Sequence, residues 1–291
     1  MNKLLQLKRL SLPLAARMIL IYMKKALGIK IKGADHIYLT YLFTLSRSDL
    51  QHVVEEENSF RVVTRDGVFL YLRKFPSSDA QVLYQIWTEK EYEVVAAHIK
   101  KNFHGKKLRI IDAGANVGYA SLFLFQQLRQ DYDLEFIIIE PGTDNLAMLE
   151  KNFMANNMSN YSIEKAGLFN KTCFLNITTD FRDGKDWSLR VEESALPTGL
   201  EGVEVLDILK KYNWDYVDFF KIDIEGSEKH LFEDKDYATR FLDKVRLISI
   251  EIHEEFIPGK KIGEVLAGNF FDCFDHGEIT IGNNRRFKYE N

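Results

Sequence analysis

The feature that most constrains this chain is a repeated alternation of strand patterns with helix patterns. Four apolar runs have the length and branching of buried strands: 108–111, 135–139, 216–222 and 245–252. Three segments between them have the 3.6-residue period of amphipathic helices: about 117–129, 143–156 and 204–212. Strands that alternate with helices in this way form a parallel sheet covered on both faces. The sequence therefore predicts an α/β fold.

The two ends of the chain show different patterns. Residues 269–274 and 278–287 are strand-like and flank Asp275-His276-Gly277 with no helix between them, which predicts a C-terminal antiparallel hairpin that closes the sheet. Upstream, residues 61–64 and 68–72 flank Arg65-Asp66-Gly67, and Asp-Gly between such runs is a strong hairpin signal.

These patterns divide the chain into three predicted parts. A basic helical segment covers residues 1–34, an extension with a β-hairpin covers 35–78, and the α/β domain covers 79–291, beginning with a helical period over 79–101.

The loop after the first strand of the α/β domain is the first candidate binding site. In open parallel sheets, ligands bind beyond the carboxyl ends of the strands. Gly114 and Gly118 allow close backbone approach and close helix packing, with Ala115 and Asn116 between them. A dinucleotide fingerprint has its middle glycine where this loop has Asn116. The carboxylate of Asp112 repels phosphate, so the loop favours a cationic or polar ligand.

The end of the second strand carries Glu140-Pro141, about twenty residues beyond the glycine loop. A carboxylate at this position can accept hydrogen bonds from both hydroxyls of a ribose. The alternative interpretation is that the Glu140 carboxylate is solvated at the end of its strand and binds no ligand.

Two later strands also end in ionisable residues. The strand at 216–222 runs into Asp223 and Glu225, and the strand at 245–252 runs into Glu251 and His253. Strand alternation puts each pair on one side of its strand, so we expect the four groups to converge on one rim. Glu228 is expected to be a first-turn helix carboxylate that the helix dipole favours.

Charge excludes one class of partner and distinguishes the N-terminus. With 39 Lys and Arg against 43 Asp and Glu, the net charge is −4, so no general nucleic-acid binder is expected. Residues 1–34 nevertheless contain no carboxylate and eight cations: Lys3, Lys8, Arg9, Arg17, Lys24, Lys25, Lys30 and Lys32.

The basic segment has two interpretations. Leu14, Met18 and Ile21 form one helical stripe, which packs either on the body or a partner subunit, or on anionic lipid at the inner membrane face. Pro13 and Arg17 interrupt the apolar stretch, so neither a bilayer span nor a cleavable signal is expected.

The two cysteines, Cys173 and Cys273, have no metal-site spacing. They predict no disulfide framework and a reducing, cytoplasmic location.

Taken together, several of these motifs resemble the FkbM family of S-adenosylmethionine-dependent methyltransferases. The resemblance covers about residues 80–255 and rests on four segments: Gln85–Tyr92, Asp112–Gly118 with Glu140-Pro141, Asn152–Asn157, and above all Lys221-Ile-Asp-Ile-Glu-Gly-Ser-Glu228. It implies a Rossmann-like class I methyltransferase fold, with a mostly parallel seven-stranded sheet. It also implies methyl transfer to a hydroxyl of a sugar, polysaccharide precursor or natural product.

The resemblance also implies roles for individual residues. The loop Asp112–Gly118 would hold the methionine part of S-adenosylmethionine, and Glu140 would hold the ribose. Phe169 and Asn170 lie where adenine contacts are expected, although their match is loose. Residues 1–78 are not explained by the resemblance.

Removal of the acceptor's hydroxyl proton is the chemistry that remains for the protein. His253 is the expected general base, oriented by Asp223 or Glu251. As alternatives, Asp223, Glu225 and His253 could bind a divalent metal, or His253 could be structural. We favour the metal-free base.

The stretch 178–200 has no clear period and is expected to contribute to the acceptor pocket. Its candidates are Trp187 and Ser188, with Trp187 stacking on a sugar face or anchoring the loop, and Arg190, which contacts an anionic acceptor or is solvated.

Two other classes of function stay open at this point. A nicotinamide-dependent oxidoreductase would share the sheet and the ribose carboxylate, but the G-x-G-x-x-G spacing is missing. A non-catalytic binding module of the same fold is the second alternative. The pattern indicates neither the acceptor nor the oligomeric state.

Overall fold

The computed structural model describes residues 9–30, 42, 44, 45, 50–74, 77–178 and 190–287 of the 291-residue chain. The strands of these residues, numbered along the chain, are β1 (Leu50–Glu55), β2 (Ser59–Thr64), β3 (Phe69–Arg73), β4 (Lys107–Ala113), β5 (Asp133–Ile139), β6 (Tyr161–Glu164), β7 (Ala166–Leu168), β8 (Cys173–Thr178), β9 (Arg190–Ser194), β10 (Glu201–Val203), β11 (Val217–Ile222), β12 (Val245–Glu251), β13 (Phe271–His276) and β14 (Ile279–Asn284). The α-helices are α1 (Leu12–Ala26), α2 (Asp79–Leu83), α3 (Glu93–Asn102), α4 (Tyr119–Leu128), α5 (Thr143–Ala155), α6 (Val205–Lys211), α7 (Glu228–Phe232), α8 (Lys235–Leu242) and α9 (Gly259–Gly268).

The central sheet has seven strands in the order β13-β14-β12-β11-β4-β5-β6. The pairs among β12, β11, β4, β5 and β6 are parallel, whereas β14 is antiparallel to both of its neighbours. This confirms the predicted class I methyltransferase sheet with its C-terminal antiparallel hairpin. The strand order reverses beside β4, so the carboxyl ends of β4 and β11 form the expected ligand-binding edge.

The two faces of this sheet bury alternate residues of each strand. Ile110 and Phe136 belong to one core, which α3, α4 and α5 cover together with the N-terminal strands. Their neighbours Ile111 and Ile137 belong to a second core, under α6, α8 and α9. Because strand side chains alternate, these apolar runs supply both cores at once.

The helix predicted over 79–101 is interrupted. It consists of α2, a π-helix at Tyr84–Glu89, and α3, with Lys90 in the left-handed conformation at φ 58° between the last two. The apolar period is interrupted only once, between the buried Trp87 and the buried Tyr92, which is why the pattern gave little sign of the change in winding.

A second sheet was not predicted. It has the order β7-β10-β8-β9, and its members β7 and β10 are only three residues long. It buries a small core of its own: Phe169, Leu175, Val191 and Leu200.

The N-terminal region packs on the body. The predicted hairpin is present as β2 and β3, and β1 adds a third strand to it. Asn152 of α5 joins this sheet to the glycine loop, since its Oδ1 accepts from the Tyr71 backbone N–H at 2.7 Å and its Nδ2 donates to the Val117 carbonyl at 2.9 Å.

Helix α1 buries the predicted stripe. Leu14, Met18 and Ile21 are at most 3% exposed, and the first two belong to the core shared with the N-terminal strands. The packing interpretation of this stripe is therefore confirmed. Within the described residues, no helix has the length and apolar character needed to cross a bilayer.

Candidate active site

A cavity opens at the carboxyl ends of β4, β5, β11 and β12. One side is formed by the glycine loop, by Glu140-Pro141 and by β7, and the other side is formed by carboxylates. Eight of the predicted site residues line it: Gly114, Ala115, Asn116, Glu140, Pro141, Asp223, Glu225 and Glu251.

The glycine loop is shaped by two close contacts within the protein. Gly114 has φ 73°, and a Cβ there would meet the Asp223 carbonyl oxygen at 1.6 Å. Gly118 has φ 82°, and a Cβ there would meet the ring of Phe153 at 2.6 Å. Both positions require glycine, as the sequence indicated. Gly114, however, makes room for the end of β11, and Gly118 makes room for α5.

Asp112 lies behind the cavity wall and binds a lysine. It is 2% exposed, its Oδ2 accepts from the Ser121 hydroxyl at 2.6 Å, and its Oδ1 is 3.0 Å from Lys221 Nζ. Lys221 reaches the Gly114 carbonyl at 2.9 Å and the Asp223 carboxylate at 3.3 Å, and it lines the cavity. Burial opposes the charge on Lys221, but the two carboxylates raise its pKa above the usual range. Asp112 therefore acts on the cavity through Lys221.

Glu140 connects the ends of β4 and β5. Its Oε2 accepts from the Asn116 backbone N–H at 2.9 Å, and its Oε1 accepts from the Gly142 N–H at 2.8 Å and from Asn145 Nδ2 at 3.0 Å. Burial raises the pKa of Glu140, and these three bonds oppose that rise. A carboxylate offers about four lone-pair positions. About one therefore stays available for a ligand hydroxyl.

The opposite side of the cavity is acidic. Asp223, Glu225 and Glu251 are joined there by Glu91 and Glu278, which were not among the predicted site residues. Burial, followed by the charge of Asp223, raises the pKa of Glu251 to about 9. Burial, Asp223 and Glu278 together raise the pKa of Glu91 to about 7.

Asp223 and Glu225 reach this wall through a turn. Strand β11 ends at Ile222, and Glu225 has φ 51°. The expected convergence is present, but strand alternation is not its cause.

His253 lies beneath this wall and is 1% exposed. Its Nε2 is 3.2 Å from Glu225 Oε2, and its Nδ1 is 3.1 Å from Glu228 Oε1. Burial by itself would lower the pKa of His253, but these two carboxylates raise it to about 11. A group that is already protonated at neutral pH cannot accept another proton. The structure therefore disfavours the expected role of His253 as general base.

Glu228 is the partner that the sequence did not reveal. It begins α7, as expected of a first-turn carboxylate, but it is fully buried. Its Oε1 also accepts from the backbone N–H groups of Ile224 and Gly226, at 3.2 and 3.3 Å. Glu228 thus holds both the turn after β11 and the imidazolium.

One group of side chains in the described part of the chain has the spacing of metal ligands. Asp223, Glu251 and His253 each offer a ligand atom, all within 4.8 Å of one another. A metal ligand must be a neutral imidazole. His253 would therefore have to give up a proton and its contact with Glu225 or Glu228 before it could bind a metal ion.

The π-helix places Glu91. It ends at Glu89, and left-handed Lys90 turns the chain so that Glu91 and Tyr92 face the cavity. Single π-turns inside helices are frequent at functional sites. Glu91 lies in Gln85–Tyr92, which is one of the segments that carry the family resemblance. That resemblance nevertheless implied no role for the Glu91 carboxylate.

The remaining predicted contacts lie elsewhere. Trp187 and Ser188 lie outside the described residues. Arg190 does not line the cavity, because it pairs with Glu192 and lies over the Phe256 ring at 4.8 Å. Phe169 is buried against His230, with ring centres 4.2 Å apart, so β7 supplies the wall where adenine contacts were expected.

This strand order, with a glycine loop and a buried ribose-type carboxylate at the reversal point, defines a class I methyltransferase fold. A family model of the methyltransferase FkbM domain matches residues 112–280, more than half of the chain. The chain therefore belongs to the FkbM methyltransferase family.

The solved structures that are similar to this chain are distant in sequence. A methyltransferase FkbM from Methylobacillus flagellatus KT has 14% identity and a TM-score of 0.41, over 70% of this chain and 54% of that one. This chain thus spans about half the length of that protein. A putative O-methyltransferase from Klebsiella pneumoniae has 11% identity and a TM-score of 0.41, over 67% and 80% of the two chains. An rRNA methylase from Streptococcus thermophilus has 8% identity and a TM-score of 0.39, over 67% and 96%. No curated protein sequence matches this chain.

Proposed function

We propose that this protein is an S-adenosylmethionine-dependent O-methyltransferase, whose acceptor is a hydroxyl of a sugar, polysaccharide precursor or natural product. The observation that carries the proposal is Glu140, a buried carboxylate tied to the glycine loop with about one lone-pair position left for a ribose hydroxyl. Family membership supports methyl transfer in general.

The residues around the cavity suit this cofactor. The backbone of Gly114–Asn116 would hold the methionine part, Glu140 would hold the ribose, and β7 would hold the base, since all three line the cavity. The carboxylate wall is electrostatically suited to a sulfonium cation, and it would repel the pyrophosphate of a nicotinamide cofactor. S-adenosylmethionine, when bound, supplies a methyl group that is already activated for transfer.

The protein's own part is to position the acceptor and take its proton. Four of the five carboxylates on the cavity wall are partly buried and are the candidates, whereas Glu278 is exposed. Asp223 is paired with Lys221, and Glu225 with His253. The pKa of Glu251, at about 9, keeps it largely protonated at neutral pH. Glu91, with its pKa at about 7, is the carboxylate best matched to accept a proton near neutrality.

The other predicted catalytic residues receive supporting roles in this proposal. Glu251, in its protonated form, donates a hydrogen bond to an acceptor oxygen. Asp223 holds Lys221 beside the glycine loop. His253 fixes Glu225 from below and is a positioning residue. No step requires a metal ion.

Calorimetry tests the cofactor. We expect S-adenosylhomocysteine to bind and NAD not to bind. Glu140→Gln removes the charge that would receive the ribose, and hydrogen bonds to charged groups contribute about 1.5–3 kcal/mol, so affinity should fall about 10- to 150-fold. Glu150→Gln, on the exposed side of α5, is the matched control and should bind normally.

The outcomes separate the three classes of function. Binding of NAD alone would favour the oxidoreductase, and binding of neither compound would favour the non-catalytic module. If S-adenosylhomocysteine binds, a panel of hydroxylated glycosides with S-adenosylmethionine tests the acceptor. Methyl transfer to nitrogen alone would contradict the O-methyltransferase.

A further inference from the structure

Helix α1 presents a second apolar stripe on its outer face. Leu12, Ile19 and Met23 recur at helical spacing and are 86%, 44% and 56% exposed, whereas Leu14, Met18 and Ile21 on the opposite face are buried. Leu20, Tyr22, Leu27 and Ile29 extend this outer surface, all at least 40% exposed. A helix that is apolar on both faces ordinarily has a partner on both.

This outer surface is unusual within the protein. Of the fourteen exposed large apolar side chains in the described residues, seven lie between residues 12 and 29. The other seven are spread over several elements, from β3 to β13. Contiguous exposed apolar patches mark interaction sites, whereas scattered ones need no explanation.

The charge on the same segment has one sign. Residues 9–30 contain Arg9, Arg17, Lys24, Lys25 and Lys30 and no carboxylate. Arg17 and Lys25 are exposed, and Lys24 is half-buried. An apolar stripe bordered by cations is the pattern of a helix that lies in the plane of an anionic membrane surface.

We propose that the outer face of α1 binds the surface of a bilayer that contains anionic lipid. The apolar side chains enter the boundary between headgroups and acyl chains, and the cations meet the headgroups. A second copy of this chain is a poorer partner for the stripe. Pairing two outer faces would bring together two segments of the same charge sign, because residues 9–30 contain five cations and no carboxylate.

Vesicle sedimentation with the full chain tests this proposal. The vesicles are phosphatidylcholine alone, or phosphatidylcholine with about one third phosphatidylglycerol. We expect pelleting with the anionic vesicles, little with the neutral ones, and weakening as salt is raised, because surface charge attraction is screened.

Two variants identify the surface. A triple variant Leu12→Ser, Ile19→Ser and Met23→Ser changes only exposed side chains, and we expect it to lower vesicle affinity at least about tenfold. The matched control is Phe69→Ser, Phe174→Ser and Leu196→Ser, which removes three exposed apolar side chains elsewhere and should bind vesicles like the parent. Circular dichroism checks that both remain folded.

Three results would overturn the proposal. They are no pelleting of the parent with anionic vesicles, unchanged pelleting of the α1 variant, or a self-association that the α1 variant abolishes in the absence of any vesicle binding. Binding of S-adenosylhomocysteine should be the same in all three proteins, so failure here is distinguishable from failure of the proposed function.

Discussion

Replacement of Glu228 by glutamine is the sharpest test of the electrostatics beneath the cavity. The amide oxygen of Gln can still accept from the backbone N–H groups of Ile224 and Gly226, so the change removes mainly a charge. His253 then keeps Glu225, at 3.2 Å, as its close anionic partner. The substitution therefore isolates the ion pair.

The magnitude follows from the pKa of His253. It lies at about 11 against an ordinary 6.5. At about 1.4 kcal/mol for each pKa unit, the whole shift corresponds to an upper limit of about 6 kcal/mol. Removing one partner of a buried pair typically costs about 3–5 kcal/mol. Because Glu225 remains, we expect a loss of about 3 kcal/mol, which lowers the pKa of His253 by about two.

The sign of the pH dependence is defined. A histidine whose pKa is raised on folding contributes stability that is complete below its unfolded pKa and is lost as the pH rises through its folded pKa. For the parent this window runs from 6.5 to about 11. The difference between parent and variant should thus be constant from pH 7 to about 9, and should then shrink by about 1.4 kcal/mol for each pH unit.

Urea unfolding at pH 7, 8, 9 and 10, followed by tryptophan fluorescence, measures this difference. Glu233→Gln, which changes an exposed carboxylate just after α7, is the matched control and should stay within about 0.5 kcal/mol of the parent. A loss for Glu228→Gln below about 1 kcal/mol at pH 7, or one as large at pH 10 as at pH 7, would refute the buried imidazolium.

Three further predictions concern the cavity and its supports. Glu91→Gln should lower methyl transfer by about 10²- to 10⁴-fold while S-adenosylhomocysteine affinity is kept, and the parent's rate should rise with pH through an acidic limb at or below about pH 7; an unchanged rate would remove Glu91 as the base. Asn152→Ala removes the bonds to Tyr71 and Val117 and should lower the free energy of unfolding by about 2–3 kcal/mol, with faster hydrogen exchange in β3; unaltered exchange there would contradict the link. Gly114→Ala puts a Cβ 1.6 Å from the Asp223 carbonyl and should cost at least about 3 kcal/mol in thermal unfolding, whereas Gly199→Ala, with nothing within 4 Å, should be neutral.

The fold was accessible to sequence reasoning because its signals are local. The apolar runs of β4, β5, β11 and β12 each lie within one short segment, and their alternation with helices leaves few topologies. The second sheet escaped because β7 and β10 are too short to show a period. The π-helix escaped because the apolar period is interrupted only once there, between Trp87 and Tyr92.

Sequence reasoning identified several of the residues that line the cavity, but it could not assign all of their roles. The rule that ligands bind at the carboxyl ends of parallel strands predicts that Glu140, Asp223 and Glu251 lie close together, and all three line the cavity. The rule succeeds because it depends only on where the strands end. It could not assign His253, because the protonation of that ring depends on burial and on Glu228, a partner 25 residues away. Glu91 depends on one left-handed residue, and no pattern reports a backbone dihedral.

The core beneath β4 and β5 has a consequence for shortening the protein. Val62, Leu70 and Leu72 of the N-terminal strands are fully buried in the same cluster as Ile110 and Phe136, although the family match begins only at residue 112. A fragment trimmed to the matched region would lose most of β4 and leave the apolar faces of α4 and α5 without the N-terminal strands that cover them. Expression of this protein in shortened form should therefore retain the strands upstream of residue 74, and a hybrid that exchanges the matched region between relatives should exchange those strands with it.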